Sequence, residues 1–417
     1  MHEIEEHYFK VNRVFLKMLG LWPYQQPYIA QLQKVLFFSV LFTFILVQSL
    51  AFFTTQFSTE ILLKILTFLF PTLFVTTKYC IFVIRADSVK LLLEQIRDDL
   101  NLLKNDLEID IIKRYADNMR FITMVSIVTC YAGTICYIMS QYFLPLVLDI
   151  ILPLNASRSL ELIPITEYFV NRQKYFWALL FHEVLTVYVG VTTFCSTGGT
   201  TMMYFLHPCA LFKVASYRIE NAVDKNILAF PDPTRIYLLQ QRVVRAVLIH
   251  RRAIEYIELW SSGFMVPFII LIIIGVSSLS FSLFHVGNVL FGILCLILDD
   301  TLTNLLLQLL QLVIVLNELG EMCCVFILII LHVAYMFVLN YGGQEIQNHG
   351  VQLFEAIYNG LWYAAPLHTQ KLLLLLMQKA TVKVSLVCGG IFIPSLEGFV
   401  TLVSTAVSYF TVMYSTR

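Results

Sequence analysis

Seven stretches of this chain stay apolar for about 20 residues or more. A helix rises 1.5 Å per residue, so roughly 20 residues cross about 30 Å of hydrocarbon. The stretches are 35–54, 61–84, 121–148, 175–206, 260–284, 320–341 and 384–415. They are too long for the alternating strands of a membrane barrel. The fold class they predict is an all-α membrane protein of seven transmembrane helices, a single unit over 1–417. Composition agrees. Of 417 residues, 58% are apolar and 13% charged, against about 25% charged in a soluble domain. A water-facing fold could not hide that much apolar surface, and disorder is excluded too. Lys+Arg and Asp+Glu balance at 28 each. Membrane lipid is thus the implied surroundings, with no nucleic-acid partner.

Charges are rare inside the stretches. The second carries Lys64 and Lys78, the fourth His182 and Glu183, and the seventh Glu397. The seventh is also interrupted by Gly389, Gly390 and Pro394. Region 285–319 is apolar but broken by Gly287, Gly292, Asp299 and Asp300. It reads as a long connection or a helical extension, because its clean piece is too short to span.

Lys and Arg set the orientation. They crowd into the N-terminal segment and into 85–120, 207–259 and 342–383, and are sparse in 55–60, 149–174 and 285–319. The positive-inside rule then puts the N-terminus in the cytoplasm and the C-terminus outside. Asn155-Ala156-Ser157 is a glycosylation sequon in 149–174, a segment the same topology exposes, which makes Asn155 a candidate acceptor. This direction is the reverse of G-protein-coupled receptors. No Asp-Arg-Tyr follows the third span and no Asn-Pro-x-x-Tyr lies in the seventh. The acidic opening Glu3, Glu5 and Glu6 gives no expectation of a signal peptide.

The predicted cytoplasmic segments have helical patterns. Asp232-Pro233 is a helix start, and 234–260 is expected to run into the fifth span as one helix. With 85–120 it reads as amphipathic helices packed on each other; a calmodulin or lipid-headgroup site is the alternative. The nine cysteines show no disulfide or zinc spacing. No phosphate loop, Ser/His/Asp set or poised acid pair is found. No enzyme activity, cofactor or metal is expected.

The last helix is the most informative. At 100° per residue, Glu397, Thr401, Ser404, Thr405, Ser408, Val412 and Ser415 share a sector of about 120°. Hydroxyls in a stripe serve either bonds between packed helices or a pore wall. Glu397 costs too much to face lipid, and a ring of Val412 side chains would make a hydrophobic constriction. A pore reading requires several copies of this helix.

Further motifs carry a resemblance. They are Leu21-Trp22-Pro23, Phe230-Pro231, Tyr341-Gly342-Gly343-Gln344-Glu345-Ile346, and Tyr358 through Trp362-Tyr363. The most specific are Pro394-Ser395-Leu396-Glu397-Gly398-Phe399 and Ser408-Tyr409-Phe410-Thr411-Val412. With them, the chain resembles insect odorant receptors, particularly those of ants and other hymenopterans. The resemblance implies an odorant-gated, non-selective cation channel. It implies a heterotetramer with the co-receptor Orco, multi-pass in the plasma membrane of olfactory neuron dendrites. The pore would be lined by Glu397, Thr401, Thr405, Ser408, Val412 and Thr416, with Val412 as gate. An anchor would include 233–258 and 345–385.

The family's volatile odorants or pheromones bind among spans two, three, four and six. Here those spans offer Phe70 and Phe74; Cys130, Gly133 and Tyr137; Tyr188 and Thr192; and Met322, Val325 and Phe326. Ordinary packing explains any one of these; as a set they are the expected ligand site. Lys78 reads as snorkelling or pairing with Glu183, and His207, His250 and His332 as structural. Region 285–319 departs from the family by its length. A gustatory-type channel and a metabotropic receptor are the alternative functions.

Overall fold

The computed structural model describes residues 2–55, 58–103, 105–139, 142, 150, 162–223, 230–298, 305–381, 384–386 and 392–415. Side chains are described outside 2–8, 232, 293–298 and 305–320. Asn155 and Thr416 lie outside the described residues.

The described helices are α1 (His2–Met18), α2 (Pro27–Thr54), α3 (Thr59–Ile84), α4 (Ala86–Leu102) and α5 (Asp106–Ile138), then α6 (Phe176–Glu220), α7 (Asp232–Leu298), α8 (Leu305–Tyr358), α9 (Leu367–Ala380) and α10 (Leu396–Ser415). Seven are long and apolar enough to cross a membrane: α2, α3, α5, α6, α7, α8 and α10. The seven-helix, all-α class is the one the apolar runs predict.

Several helices extend well past their apolar runs. α6 has 45 residues and α7 has 67, lengths of about 67 and 100 Å. α7 is continuous from Asp232 through the fifth span, and α8 starts at Leu305. Most of 285–319 is therefore helical extension rather than connection. α5 begins at Asp106, ahead of its apolar run, because Asn105 caps it: its side chain accepts from the Leu107 amide at 3.1 Å. α10 starts at Leu396, two residues after Pro394, and 384–386 and 392–395 are not helical. Ser395 caps the helix, its hydroxyl accepting from the Gly398 amide at 3.0 Å, which fixes the start at Leu396.

α6 is the central post, packed on α8, α5, α7, α3, α2 and α1. Its C-terminal half shows why. Met203, Cys209, Leu211, Phe212 and Val214 are fully buried, so this stretch is enclosed on nearly every side, with Lys213 alone reaching out. Around it stand the N-terminal half of α7, the C-terminal end of α8, α4 and α9, which contribute Ala246, Tyr256, Leu353, Ile96 and Leu373 to one core. The packed amphipathic helices expected at this end are what the structure shows. Their charges are bonded inside the core. Asp99 takes His207 Nε2 at 3.0 Å and the Arg252 guanidinium, and Arg218 grips Glu108 with two bonds of 2.7 and 2.8 Å. His207 thus has the structural role expected of it.

Candidate functional site

Three helices deliver aromatic rings to one point inside the bundle. Phe74 comes from α3, Phe194 from α6 and Tyr335 from α8. Their ring faces surround the ammonium of Lys78, which lies 5.8, 5.1 and 3.9 Å from the respective centroids. Lys78 is only 2% exposed. The cation–π contacts are its compensation for lost hydration. Its Nζ has no hydrogen-bond partner among the described residues. Both expectations for Lys78 are overturned. It does not reach an interface, and Glu183 is held instead by the hydroxyls of Tyr137 and Tyr142, the latter at 2.8 Å.

Two small cavities meet at Tyr335. One, of about 30 Å³, lies between Lys78, Tyr204, Trp260, Phe264 and Phe268. The other, of about 20 Å³, lies between Phe74, His332, Met336, Asn340 and Leu402. Phe268, Leu271 and Tyr335 wall both. Leu402 belongs to α10, so the second cavity touches the last helix directly.

The expected ligand residues fall into groups. Phe74 lines the second cavity and packs edge-on to Tyr335 at 5.5 Å. Phe70 stacks on Phe281 of α7 at 4.9 Å. Tyr137 and Val325 meet in a separate cluster with Phe68 and Ile163. Gly133 faces Ile327, where an added Cβ would come within 3.1 Å. Cys130 is buried, and its thiol is free. Thr192 is buried under Tyr131, whose hydroxyl it meets at 2.8 Å. Met322 is half-buried. Tyr188 and Phe326 are exposed on the outside of the bundle, Tyr188 packing against Tyr131 at 6.2 Å. The structure gathers Phe74 around the cavities, keeps Tyr137 with Val325, and turns Phe326 away.

α10 packs on α7 and α8 through Leu402 and Ala406, its buried residues. Ser280 of α7 donates to the Ala406 carbonyl at 3.1 Å. The polar stripe points the other way. Glu397, Thr401, Ser404, Ser408, Val412 and Ser415 are exposed and Thr405 is half-buried. The hydroxyls donate back into their own helix: Thr401 to the Glu397 carbonyl, Thr405 to Thr401, and Ser408 to Ser404, at 2.7 to 3.0 Å. Among the described residues, these three hydroxyls bond only their own helix.

A clamp that sequence reasoning did not identify holds the entry to α10. Asn340 accepts from the Ser395 amide at 3.1 Å, and Gln347 donates to the Pro394 carbonyl at 3.2 Å. Gly342 and Gly343 let the backbones meet. A Cβ on Gly342 would sit 2.6 Å from Phe205, and one on Gly343 would strike Pro394. The Gly-Gly pair was the visible signal; its partners, Phe205 and Pro394, lie far away in sequence.

These features define a seven-helix membrane protein with a buried aromatic site and an outward-facing last helix. Residues 58–293 and 301–407 match the family described as 7tm odorant receptor. The chain belongs to that family, which is one of receptors rather than enzymes. Its fold is similar to that of the insect olfactory receptor OR5 from Machilis hrabei in complex with eugenol, at TM-score 0.72 and 14% identity over 98% of each chain. A second structure of the same receptor gives TM-score 0.69, with the same identity and coverage. No curated protein sequence matches the chain.

Proposed function

We propose that the chain is the odorant-binding subunit of a ligand-gated, non-selective cation channel. It assembles with the co-receptor Orco in a heterotetramer and sits in the plasma membrane of olfactory dendrites with its N-terminus in the cytoplasm. The observation that carries this reading is the outward stripe on α10. Glu397, Thr401 and Ser408 are exposed on a helix apolar enough to span. Facing lipid, such a stripe is unfavourable. Facing a shared axis, with hydroxyls already satisfied by their own backbone, it makes a wettable wall with Val412 as its narrow apolar ring. Membership of the odorant receptor family and the likeness to a receptor solved with eugenol support a small volatile ligand.

The cavities suggest how the ligand acts. Leu402 lines one of them and is also a buried contact of α10. A ligand that enters beside Phe74 and His332 presses on that contact. It favours whichever arrangement of α10 gives it more room, and the population shifts accordingly.

The test is co-expression with Orco and current recording against volatiles. Odorant-evoked cation current is expected; none, despite surface expression, would overturn the channel. Val412→Ala should raise basal leak, and an unchanged leak would mean that Val412 only packs.

A further inference from the structure

We propose that this receptor selects ligands bearing a carboxylate, which Lys78 and Tyr204 bind; the inference rests on the odorant-receptor reading and names its ligand class. Lys78 is 2% exposed and Tyr204 is also 2% exposed. Both line the same cavity. Neither Lys78 Nζ nor Tyr204 Oη has a hydrogen-bond partner among the described residues. Buried donors without acceptors are rare, and here two of them belong to residues that border one cavity.

The space has the matching size and walls. About 30 Å³ holds two water-sized atoms, which suits the two oxygens of a carboxylate. The remaining walls are mostly apolar or aromatic, among them Ile81, Phe82, Trp260, Phe264 and Phe268, with Thr201 the one hydroxyl residue besides the tyrosines. On the other side of Tyr335 the second cavity, of about 20 Å³, is bordered by Phe74, Met336 and Leu402; an alkyl or aryl tail reaches it only if these side chains move apart.

Among the described residues no carboxylate bonds Lys78. Glu183 is occupied by Tyr137 and Tyr142. The titratable groups that Lys78 does feel are the Cys130 and Cys195 thiols and the His332 imidazole. An ammonium in a membrane interior needs an anionic partner or water. The aromatic faces stabilise its positive charge but cannot fill its three donor directions. A ligand carboxylate supplies both charge and acceptors, and the phenol of Tyr204 takes the second oxygen. Neutral odorants of the same shape would leave the ammonium with its aromatic contacts alone.

The experiment measures binding and current side by side. The complex with Orco is purified in detergent at about pH 7, where a free carboxyl is ionised. Thermal stabilisation is measured with octanoic acid, methyl octanoate and 1-octanol, for wild type, Lys78→Met and Tyr204→Phe. Currents are recorded from cells with the same probes. The acid is expected to stabilise wild type more than the ester or alcohol does. Lys78→Met should weaken the acid roughly 10- to 100-fold, the loss of a charge-assisted bond, and Tyr204→Phe less. The alcohol should change little in either variant, which also shows that they fold. An acid affinity unchanged in Lys78→Met overturns the proposal, as does an equal loss for acid and alcohol. Currents to neutral odorants with no acid binding overturn the carboxylate site and keep the channel. Acid binding lost in Lys78→Met, with no current from any probe, keeps the site and overturns the channel.

Discussion

Asp99 shows what a single side chain holds together. It is fully buried, as is His207, and its two oxygens take His207 and Arg252 from two different helices. Removing one partner of a buried charged set leaves the others uncompensated and costs about 3–5 kcal/mol. Asp99→Ala should therefore lower the thermal stability of the detergent-solubilised protein and reduce its surface level, while Asp98→Ala next to it should not. A melting curve that stays in place for Asp99→Ala would show that water satisfies the site. His207 was legible as structural because a lone histidine in an apolar run seldom binds a ligand. Its partner was not legible, since Asp99 stands 108 positions away and looks like one of several acids on a surface helix. The cage of Lys78 has the same character. A lysine inside an apolar run announces itself, but Phe194 and Tyr335 become its neighbours only when three helices pack.

At the scale of elements, the existence of helices was readable and their lengths were not. Apolar runs report the part in hydrocarbon, so seven spans could be counted directly. α6 continues to Glu220 because Cys209 to Phe212 and Val214 are enclosed by other helices, a tertiary fact. The clamp on α10 is also tertiary. Gly343 allows α8 to touch the backbone at Pro394, and Asn340 and Gln347 bond the segment there. Gly343→Val must push the two apart. We expect it to unseat the start of α10 and to lose odorant-evoked current while the protein still reaches the surface. The bonds at stake are three, counting the Leu396 amide to Gln344 at 3.4 Å, each worth about 0.5–1.5 kcal/mol, so the effect should fall on gating more than on global stability. Normal currents in Gly343→Val would show that the close approach is incidental. A variant at the exposed Val407, which lies off the clamp, is the matching control.

For the whole molecule, the outward stripe raises a question of assembly that one chain cannot answer alone. α10 buries only Leu402 and Ala406, which leaves most of its circumference for lipid or for other subunits. If four last helices surround an axis, their Val412 side chains converge, because a gate that dewets must be narrow. Cysteines placed there come close enough to bridge, which needs Cα atoms about 4.4–6.8 Å apart. Val412→Cys here, paired with cysteine at the matching position of the co-receptor, should give an oxidant-dependent cross-linked band. The same treatment should lock the current, and reductant should restore both. Val407→Cys lies about 110° around the helix from the stripe's centre and is also exposed. On the pore reading it faces away from the axis and should give no band. The packing alternative predicts a different pattern: if α10 merely docks sideways on a neighbour, the 407 and 412 positions cross-link with similar ease and neither locks the current. Cross-linking at 412 alone therefore separates a helix that lines a shared axis from one that is only an interface.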